Sequence, residues 1–566
     1  MLPHPPLRKL LAALLVPVVM GCDESLKTDP GERVTAPITA AYVCGNDFDL
    51  QSGSAVELTA QYQVIGTSEQ GEFLLLPRTS DSTLSTTRLT TVQTGTLQLS
   101  YQGEDIAPVD NGGTACQPTT APEPQASVGE WSHSFSWPVV AVHLHLLPSG
   151  EVLSWGRAGD PHVWQPQTGA FTVAPSSTML FCSGHAFLPD GRLMVSGGHI
   201  SDEHGLPDAN IFDPASRAWT PVAPMSRGRW YPTNTTLADG QVLTLAGRDE
   251  TSIPVETPEV WTGDGWRPLS GADRALPYYP RTFLAPNGLV FYAGELQRSA
   301  YLDPRGTGRW LPAAPSNYGR RDYGSAVMYS AGRVMIVGGS DPPDGKPTST
   351  AEIIDLNSAT PLWRYTQPMS HARRQFNTTI LPDGGVLATG GTSAAGFSDP
   401  AGAVRAAEVW YPGTETWSVL AGSRVTRVYH STTLLLPDGR VLHSGSGDGV
   451  GLPRELNAEI FSPPYLFRGP RPSIHDAPSS LAYGQQFFLA TPDAPRVVRI
   501  RLIRLGSVTH GFDQNQRLLE LAFQRAAGGL AVTAPASGSV APPGHYLLFV
   551  LDAQGVPSVA RILQIT

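Results

Sequence analysis

Leu188-Pro189-Asp190-Gly191-Arg192-Leu193 decides the fold, because close copies of this stretch recur along the chain at intervals of about fifty residues. Each copy has an apolar residue, a polar turn that contains glycine, and a second apolar run, which is the pattern of a β-hairpin. The turn glycines are Gly150, Gly191, Gly240, Gly288, Gly332, Gly384 and Gly439. Seven copies in order predict a repeat protein.

A second set of positions supports the repeat. Several units carry a tryptophan after a further turn, at Trp219, Trp266, Trp310, Trp363 and Trp417. Four short strands per unit at this period are typical of a kelch-type propeller blade. We therefore expect residues 126–465 to form a seven-bladed kelch-type β-propeller.

The segments on either side of the repeat also have strand patterns. Residues 466–566 show short alternating strands between Pro and Gly turns, which predicts an immunoglobulin-like β-sandwich. Residues 22–125 predict a small β-rich N-terminal domain with a linker. Cys44 and Cys116 bracket most of that domain, and a disulfide between them is the expected staple of an exported domain with little core. With 58 glycines and 52 prolines, the whole chain is predicted to be all-β.

The N-terminus has the features of an export signal. Arg8-Lys9 precede an apolar run from Leu10 to Met20, so we expect residues 1–21 to be a signal peptide. Val19-Met20-Gly21-Cys22 resembles a bacterial lipobox, in which the cysteine is acylated. The mature chain is therefore expected to be lipid-anchored at Cys22, with a plainly secreted chain as the alternative.

Net charge and cysteine content narrow the range of possible functions. The chain has 39 Lys and Arg against 49 Asp and Glu, a net charge of −10 with no basic cluster, which argues against nucleic acid as a partner. Lipidation and the disulfide account for three of the four cysteines, so Cys182 is left as an unpaired thiol. Such a thiol oxidises easily in an exported protein, so it needs either deep burial or a chemical use.

Four short segments carry residues that bind metals or hold radicals. They are Phe181-Cys182-Ser183-Gly184-His185, Arg229-Trp230-Tyr231-Pro232, Val428-Tyr429-His430-Ser431 and Val508-Thr509-His510-Gly511-Phe512-Asp513. The first three precede the innermost strands of three different blades, and equivalent positions of propeller blades converge on one end of the central axis. We therefore expect Cys182, Tyr231, Tyr429 and His430 to come together there.

This set of segments resembles the copper radical oxidases, the galactose oxidase and glyoxal oxidase family, over residues 130–566. The resemblance implies that the sulfur of Cys182 is bonded to the ring of Tyr231, which then holds a stable radical. It also implies that Tyr231, Tyr429, His430 and His510 bind one copper ion, with His510 delivered by a C-terminal loop. The expected cofactors are copper and a protein-derived Cys182-Tyr231 thioether.

The residue types suit this chemistry. Two imidazoles and phenolate oxygens favour Cu(II), with one position open for substrate. Alcohol oxidation removes two electrons, of which the metal accepts one and the tyrosyl radical the other. By the resemblance, Tyr429 is the general base that accepts the substrate hydroxyl proton. We expect a monomer that oxidises a primary alcohol or aldehyde with O2 to an aldehyde or acid plus hydrogen peroxide.

Two further positions bear on the substrate. Galactose oxidase stacks a tryptophan over the thioether, and counting along the equivalent hairpin leads here to Asp249. Arg281 is a candidate to face the open end of the axis, and both residues are expected substrate contacts. The contexts of Cys182 and Tyr231 are closer to the glyoxal oxidase branch, so small alcohols and aldehydes are as strongly indicated as galactose. The alternative function is a non-catalytic kelch-propeller binding protein of the cell envelope, with a carbohydrate or protein ligand.

Overall fold

The computed structural model describes residues 38–44, 47–52, 54, 58–75, 85–91, 95–110, 124–449 and 451–566. The chain divides into two compact units, Met1–Thr120 and Ala121–Thr566. The described residues are almost entirely strands and turns, so the all-β prediction is confirmed. Cys22, Cys116 and the side chain of Cys44 lie outside the described residues, so the lipidation and the disulfide stay predictions.

Two sheets make up the described part of the first unit. One pairs Ile38–Cys44, Asp47–Ser52 and Ser85–Thr90, and the other has the order Gln70–Leu75, Leu58–Val64, Leu97–Tyr101, Glu104–Val109. Along Leu58–Val64 buried and outward-facing residues alternate at first, as expected for a strand with one face in a core. Leu58, Ala60 and Val64 pack with Phe48 and Leu97 in a small apolar core.

In the second unit, the described chain forms seven antiparallel sheets in succession, numbered 1 to 7 below. Sheet 1 consists of His143–Leu146, Val152–Trp155, His162–Trp164 and Phe171–Val173; sheet 2 of Gly184–Phe187, Leu193–Ser196, Ala209–Asp213 and Ala218–Val222; sheet 3 of Thr233–Thr236, Val242–Leu245, Glu259–Trp261 and Trp266–Pro268. Sheet 4 consists of Arg281–Leu284, Val290–Gly294, Ala300–Asp303 and Arg309–Pro312; sheet 5 of Ser325–Ser330, Arg333–Val337, Ala351–Asp355 and Arg364–Thr366. Sheet 6 consists of Asn377–Ile380, Val386–Thr389, Ala406–Tyr411 and Thr416–Gly422; sheet 7 of Ser431–Leu435, Val441–Gly445, Asn457–Ser462 and Glu130–Trp131. A two-stranded ribbon, His199–Ser201 with His204–Gly205, follows the second strand of sheet 2.

Each sequence repeat forms the hairpin between the first and second strands of its sheet. All seven turn glycines have φ between 72° and 90°, a left-handed conformation that glycine adopts at little cost. The first two strands of the sheets are buried almost throughout, as in sheet 2, where both are buried at every position. Burial on both faces explains why these strands are apolar runs instead of alternating patterns.

Tryptophans of the outer strands link neighbouring sheets. In each of four cases the indole N–H donates to a backbone carbonyl at the end of the preceding sheet or in the loop after it. The donors and acceptors are Trp219 and Ala174, Trp266 and Ala223, Trp310 and Ala272, and Trp131 and Ala421. The repeated tryptophans therefore connect one repeat to the next.

The two ends of the series of sheets meet. Sheet 7 takes its fourth strand, Glu130–Trp131, from the start of the unit, and Phe135–Ser136 pairs with the same neighbour, Asn457–Ser462. The first strand of sheet 7 also contacts the first strand of sheet 1. First strands are in contact between sheets 2 and 3, 3 and 4, 5 and 6, and 6 and 7 as well.

The C-terminal region adds two sheets and one hairpin. The first sheet has five strands in the order Ser480–Leu481, Arg561–Ile565, Gly544–Leu551, Arg499–Arg504, Leu518–Glu520. The second has three strands in the order Gln486–Ala490, Gly529–Thr533, Phe523–Ala526. The hairpin, Ser507–Thr509 with Phe512–Asp513, joins sheet 1 by pairing with His143–Leu146. The described helices are short, an α-helix at Pro124–Val128 and 3₁₀ turns at Pro400–Gly402 and Pro464–Phe467. Within the described residues, no helix has the length and hydropathy to cross a membrane.

Four sheets contain the same buried ion pair between an arginine just before the first strand and a glutamate of the third strand. The pairs are Arg229 with Glu259, Arg321 with Glu352, Arg373 with Glu408, and Arg427 with Glu459. Each arginine also donates to a backbone carbonyl just beyond or at the end of the second strand, at Ala246, Gly338, Gly390 and Gly445 respectively. The pairs thereby fix the segment that leads into each first strand.

We expect Arg373→Met to lower the free energy of unfolding by about 3 to 5 kcal/mol, because the buried carboxylate of Glu408 would lose the arginine that compensates its charge. Arg333→Met is the matched control, since Arg333 forms an ion pair with Asp355 on the surface; its loss should cost less than about 1 kcal/mol. Urea unfolding followed by tryptophan fluorescence measures both. Equal losses would contradict the role assigned to the buried pairs.

Candidate active site

Six residues share an unusual backbone conformation at the entry to the first strands of sheets 2 to 7. Cys182, Tyr231, Tyr279, Tyr323, Gln375 and His430 have φ values of 63°, 67°, 43°, 50°, 56° and 67°. Each lies one or two residues before the first strand of its sheet. Left-handed backbone is uncommon for residues with a side chain and concentrates at functional sites. The shared register identifies this end of the sheets as the candidate site.

The structure brings together the four predicted metal ligands. The hydroxyl oxygens of Tyr231 and Tyr429 lie 2.5 Å apart, and Nε2 of His510 lies 2.9 Å from the Tyr231 hydroxyl. The rings of His430 and His510 have centroids 4.8 Å apart. All four side chains are buried. Among the described residues, no three His, Cys, Asp or Glu side chains are arranged to hold a metal ion. At this site the oxygen atoms on the Nε2 side of the His510 imidazole are those of the two phenols.

Hydrogen bonds fix which nitrogen of each histidine is free. Nδ1 of His430 lies 2.6 Å from the Gly447 carbonyl, which can only accept, so Nδ1 carries the proton. Nε2 of His430 is then a bare lone pair, and it is buried without a hydrogen-bond partner. The Thr509 hydroxyl donates to a carbonyl and therefore accepts from Nδ1 of His510, which leaves Nε2 of His510 as the lone pair. Both histidines present the nitrogen form that a metal requires.

Burial sets the protonation state of the ligands. It lowers the pKa of His430 to about 3 and holds the pKa of His510 well below its usual range, so both imidazoles are neutral at neutral pH. Burial raises the pKa of Tyr231 and of Tyr429 above the usual phenol value. The phenols are therefore protonated in the metal-free chain, and a bound metal has to displace their protons.

Cys182 lies against Tyr231. Its side chain is fully buried in an apolar cluster that includes Phe181, Trp230, Tyr231 and Tyr279. The Cys182 carbonyl accepts a hydrogen bond of 2.9 Å from the Tyr231 backbone N–H. Burial raises the pKa of the Cys182 thiol, so the sulfur is a thiol in the metal-free chain. The structure thus places Cys182, a free cysteine, next to the Tyr231 ring, to which the family resemblance links it.

Trp230 stacks on Tyr231. Their ring centroids are 3.7 Å apart and the planes differ by 9°, and the Trp230 indole N–H donates to Nδ1 of His199 at 3.1 Å. The equivalent hairpin position holds Asp249, and the tryptophan that covers this ring comes instead from the residue before Tyr231. Neighbouring side chains of an extended strand point to opposite faces, but the left-handed backbone at Tyr231 lets the preceding ring lie over it.

Asp249 has a local structural role in place of the substrate contact expected from the sequence. One carboxylate oxygen accepts from Arg227, and the other accepts from the backbone N–H groups of Thr251 and Ile253 and from the Thr251 hydroxyl. The side chain is 1% exposed and does not line the cavity beside the metal ligands. The expectation is corrected because its oxygens are used to close its own loop.

A cavity of about 310 Å³ opens beside the ligands. Tyr231 and His510 form part of its wall. The remaining wall includes Tyr278, Tyr279, Tyr323, Phe397, Arg248, Arg281, Arg320, Glu295, Asp322 and Asp344. Arg281 therefore faces the cavity as expected, but its guanidinium donates to the carbonyls of Gly324 and Tyr279, which occupies it with the backbone.

Sequence reasoning missed four aromatic residues of this wall, Tyr278, Tyr279, Tyr323 and Phe397. Tyr279, Tyr323 and Phe397 line the cavity, and both Tyr323 and Phe397 contact the Tyr429 ring edge-on, at centroid distances of 5.6 and 4.7 Å. The spacing to the first strand, which is the same for Tyr279 and Tyr323 as for Cys182 and Tyr231, is the sequence signal that could have found two of them.

An all-β fold with two phenols, two neutral imidazoles and a cysteine gathered at one cavity defines the class of copper oxidases that use a tyrosine as a redox partner. The family described as "Glyoxal oxidase N-terminus" matches residues 162–465, and "Galactose oxidase-like, Early set domain" matches residues 471–565. The chain belongs to this glyoxal oxidase and galactose oxidase family.

Similar proteins agree with this assignment. "Aldehyde oxidase GLOX" of Vitis pseudoreticulata is 31% identical over 480 residues, covering 75% of this chain and 89% of that protein. "Galactose oxidase" of Gibberella zeae is 29% identical over 496 residues, covering 79% of this chain and 72% of that protein. A solved fungal alcohol oxidase of the AA5 family, in complex with copper, shares the fold with a TM-score of 0.72 at 24% identity, covering 78% of this chain and 100% of that chain.

We expect copper affinity to rise with pH between about 5.5 and 7.5, by about tenfold per unit for each phenol proton released. The histidines contribute no such dependence in this window, because both are already neutral. Tyr231→Phe should remove one tenfold step per unit, whereas Tyr301→Phe, on a distant strand of sheet 4, should leave the slope unchanged. Copper titration followed by calorimetry measures the slope. An affinity independent of pH would show that the phenols do not ionise on binding.

Proposed function

We propose that this chain is a copper radical oxidase that converts a primary alcohol or an aldehyde, with O2, into an aldehyde or an acid plus hydrogen peroxide. The observation that carries the proposal is the bare, buried Nε2 of His430 in a site whose other donors are Nε2 of His510 and two phenol oxygens. A buried nitrogen without a partner is costly unless a ligand uses it. A purely binding protein has no use for this donor set beside a buried cysteine.

The architecture proposed for this enzyme is the one that the sequence predicts. The seven sheets of residues 126–465 are the blades of one kelch-type propeller, closed where Glu130–Trp131 completes sheet 7. Residues 466–566 are an immunoglobulin-like sandwich, supported by its two antiparallel-rich sheets, and its hairpin brings His510 to the propeller axis. In this arrangement the six left-handed residues surround one end of the axis.

The chain's own groups have separate tasks in the reaction. When bound, copper together with a tyrosyl radical supplies the two one-electron acceptors that alcohol oxidation needs. Tyr231 and His510 line the cavity, so the reacting oxygen of the substrate would lie at their end of it. Tyr429, hydrogen-bonded to Tyr231 and packed against Tyr323 and Phe397, is the phenol that accepts the hydroxyl proton of the substrate.

We assign the radical to a Tyr231 ring that is linked through carbon to the sulfur of Cys182. Formation of the link replaces one S–H and one ring C–H bond by a C–S bond, and O2 takes the two electrons and two protons and leaves as hydrogen peroxide. The support is the burial of Cys182 against Tyr231. Trp230, stacked at 3.7 Å, covers the ring and shields the radical from solvent.

The cavity favours an uncharged substrate. Most of its charged side chains form ion pairs, as Arg320 does with Glu295, and as Asp322 and Asp344 do with Arg374. The Arg281 guanidinium has no carboxylate partner, but its N–H groups donate to backbone carbonyls, so a charged substrate would have to compete with an existing contact at each of these groups. A neutral alcohol or aldehyde that fits about 310 Å³ beside Tyr278 and Tyr279 meets these limits.

The remaining proposals concern the cellular setting. We propose that residues 1–21 direct export, that Cys22 carries the lipid anchor, that Cys44 and Cys116 form a disulfide, and that the enzyme works as a monomer. The N-terminal sequence pattern supports the first two, and the spacing of the cysteines in an exported segment supports the third.

We expect copper-loaded protein under air to lose two hydrogens in intact mass and to lose the alkylatable thiol of Cys182. Cys182→Ser should show neither change, and its peroxide output should fall by a factor of at least about 10³, because the tyrosyl radical would lack the stabilising sulfur. Mass spectrometry with iodoacetamide labelling makes the measurement. A thiol that stays fully alkylatable after aerobic copper loading would exclude the radical cofactor.

We also expect Tyr429→Phe to lower kcat by about 10² to 10⁴, since the proton acceptor is removed while the cavity wall is retained. A peroxide assay with galactose, glycerol, glycolaldehyde and methylglyoxal measures the rate and orders the substrates. Tyr465→Phe is the control. Tyr465 is also buried, but it lies in a 3₁₀ turn, and its hydroxyl donates to the Gly439 carbonyl and not to a residue of the site. An unchanged kcat in Tyr429→Phe would remove Tyr429 from the mechanism.

A further inference from the structure

Three buried histidines that the proposed reaction does not use form a chain beside Cys182. His143 and His145 lie on the first strand of sheet 1, and His185 lies on the first strand of sheet 2. Ser507, on the hairpin that carries His510, completes the group. All four side chains have no exposed surface. Buried polar groups at such density call for a physical role, because each is costly unless hydrogen-bonded.

The hydrogen bonds of this chain run in one direction. The backbone N–H of Cys182 can only donate, so Nε2 of His143, at 3.1 Å, accepts. Nδ1 of His143 then carries the proton and donates to Nε2 of His185 at 3.1 Å. Nδ1 of His185 in turn donates to the Ser507 hydroxyl at 2.6 Å, and that hydroxyl is free to donate to Nδ1 of His145 at 2.9 Å. A single pattern of protons satisfies every link.

Packing prevents the first and last rings from turning. His143 stacks on Trp155 with centroids 4.9 Å apart and planes at 13°, and His145 stacks on the same indole at 4.4 Å and 23°. The Trp155 N–H donates to the carbonyl of Leu180, two residues before Cys182. Burial also lowers the pKa of all three histidines, so each ring holds one proton.

The first link holds Cys182 in a strained conformation. Cys182 has φ of 63°, which costs a residue with a side chain roughly 1 to 3 kcal/mol and persists only where surrounding contacts enforce it. Both of its backbone groups are engaged, the N–H with His143 and the carbonyl with the Tyr231 N–H. Without the acceptor on His143, the buried N–H of Cys182 would be left unpaired.

We propose that His143 is a positioning residue that holds the Cys182 peptide so that the thiol faces the Tyr231 ring, and that His185 and Ser507 impose the His143 tautomer this requires. Because Ser507 and His510 belong to one hairpin, the same chain ties the position of the thiol to that of a metal ligand. The consequence for thioether formation rests on the proposed function; the hydrogen-bond arrangement is a property of the metal-free chain.

The test compares thioether formation in four variants of the full chain. In His143→Leu the rate, followed by mass and by thiol alkylation after aerobic copper loading, should fall at least tenfold. His143→Gln keeps an acceptor for the Cys182 N–H and should recover most of that loss. His185→Leu, which does not touch Cys182, should give an intermediate rate, since nothing then fixes the His143 tautomer.

His443→Leu is the matched control. His443 is fully buried on the second strand of sheet 7 and has no hydrogen-bond partner in the described chain. It should form the thioether at the wild-type rate, even where its melting temperature falls as far as that of His143→Leu. Equal slowing in both variants would mean that any buried histidine serves, and the proposal would be overturned.

Two measurements on metal-free protein test the arrangement itself. Ring ¹⁵N shifts should show His143 protonated on Nδ1, and hydrogen exchange at the Cys182 amide should be at least tenfold faster in His143→Leu than in wild type. A proton on Nε2, or an unchanged exchange rate, would overturn the proposal. If both results hold and the wild type forms no thioether, the positioning role stands and the proposed function fails.

Discussion

The buried arginine–glutamate pair is the interaction on which the rest of this structure depends. It recurs in sheets 3, 5, 6 and 7, and each time the arginine precedes the first strand and reaches both a glutamate and a backbone carbonyl. Each glutamate also accepts from backbone N–H groups of the incoming loop, as Glu352 does from Asn317 and Tyr318. A charge pair with these extra bonds tolerates burial better than an isolated pair, although the Nε–H of each arginine has no hydrogen-bond partner in the described chain. The residue two or three positions after each arginine can therefore be held in a left-handed conformation that is unfavourable by itself.

The repeated frame explains why one site can be made from distant parts of the sequence. Tyr231 and Tyr429 belong to sheets 3 and 7, yet both follow an arginine of this kind by two residues. Each tyrosine lies two residues before the first strand of its sheet, and at this end of the sheets their hydroxyls come within hydrogen-bonding distance. The ligands are buried, so the imidazoles stay neutral and the phenols keep their protons until a metal binds. Burial thus keeps the imidazole nitrogens free to bind a metal, whereas the phenol oxygens must lose their protons when the metal binds.

Much of this arrangement could be predicted from the sequence, and the failures have a common cause. The turn glycines predicted the hairpins. Cys182, Tyr231, Tyr429 and His430 were singled out because they occupy equivalent positions of the repeat, and His510 was added by the resemblance to the copper radical oxidases. The direction of a side chain next to a left-handed residue follows neither strand nor helix periodicity, so the stacking of Trp230 on Tyr231 was missed. Asp249 was misjudged for a related reason, since a carboxylate that closes its own turn has the same sequence appearance as one that faces a ligand. The histidine chain was beyond reach, because it joins sheets 1 and 2 to a hairpin more than three hundred residues further on.

The fourth strand of sheet 7 comes from Glu130–Trp131, and His510 comes from a hairpin that follows all seven sheets. All seven sheets therefore lie between the strand that completes sheet 7 and the hairpin that carries the second imidazole. Without that hairpin, Tyr231 and Tyr429 lack His510, the second imidazole of the proposed metal site. The order of the segments along the chain therefore makes the complete set of proposed metal ligands depend on the complete series of sheets.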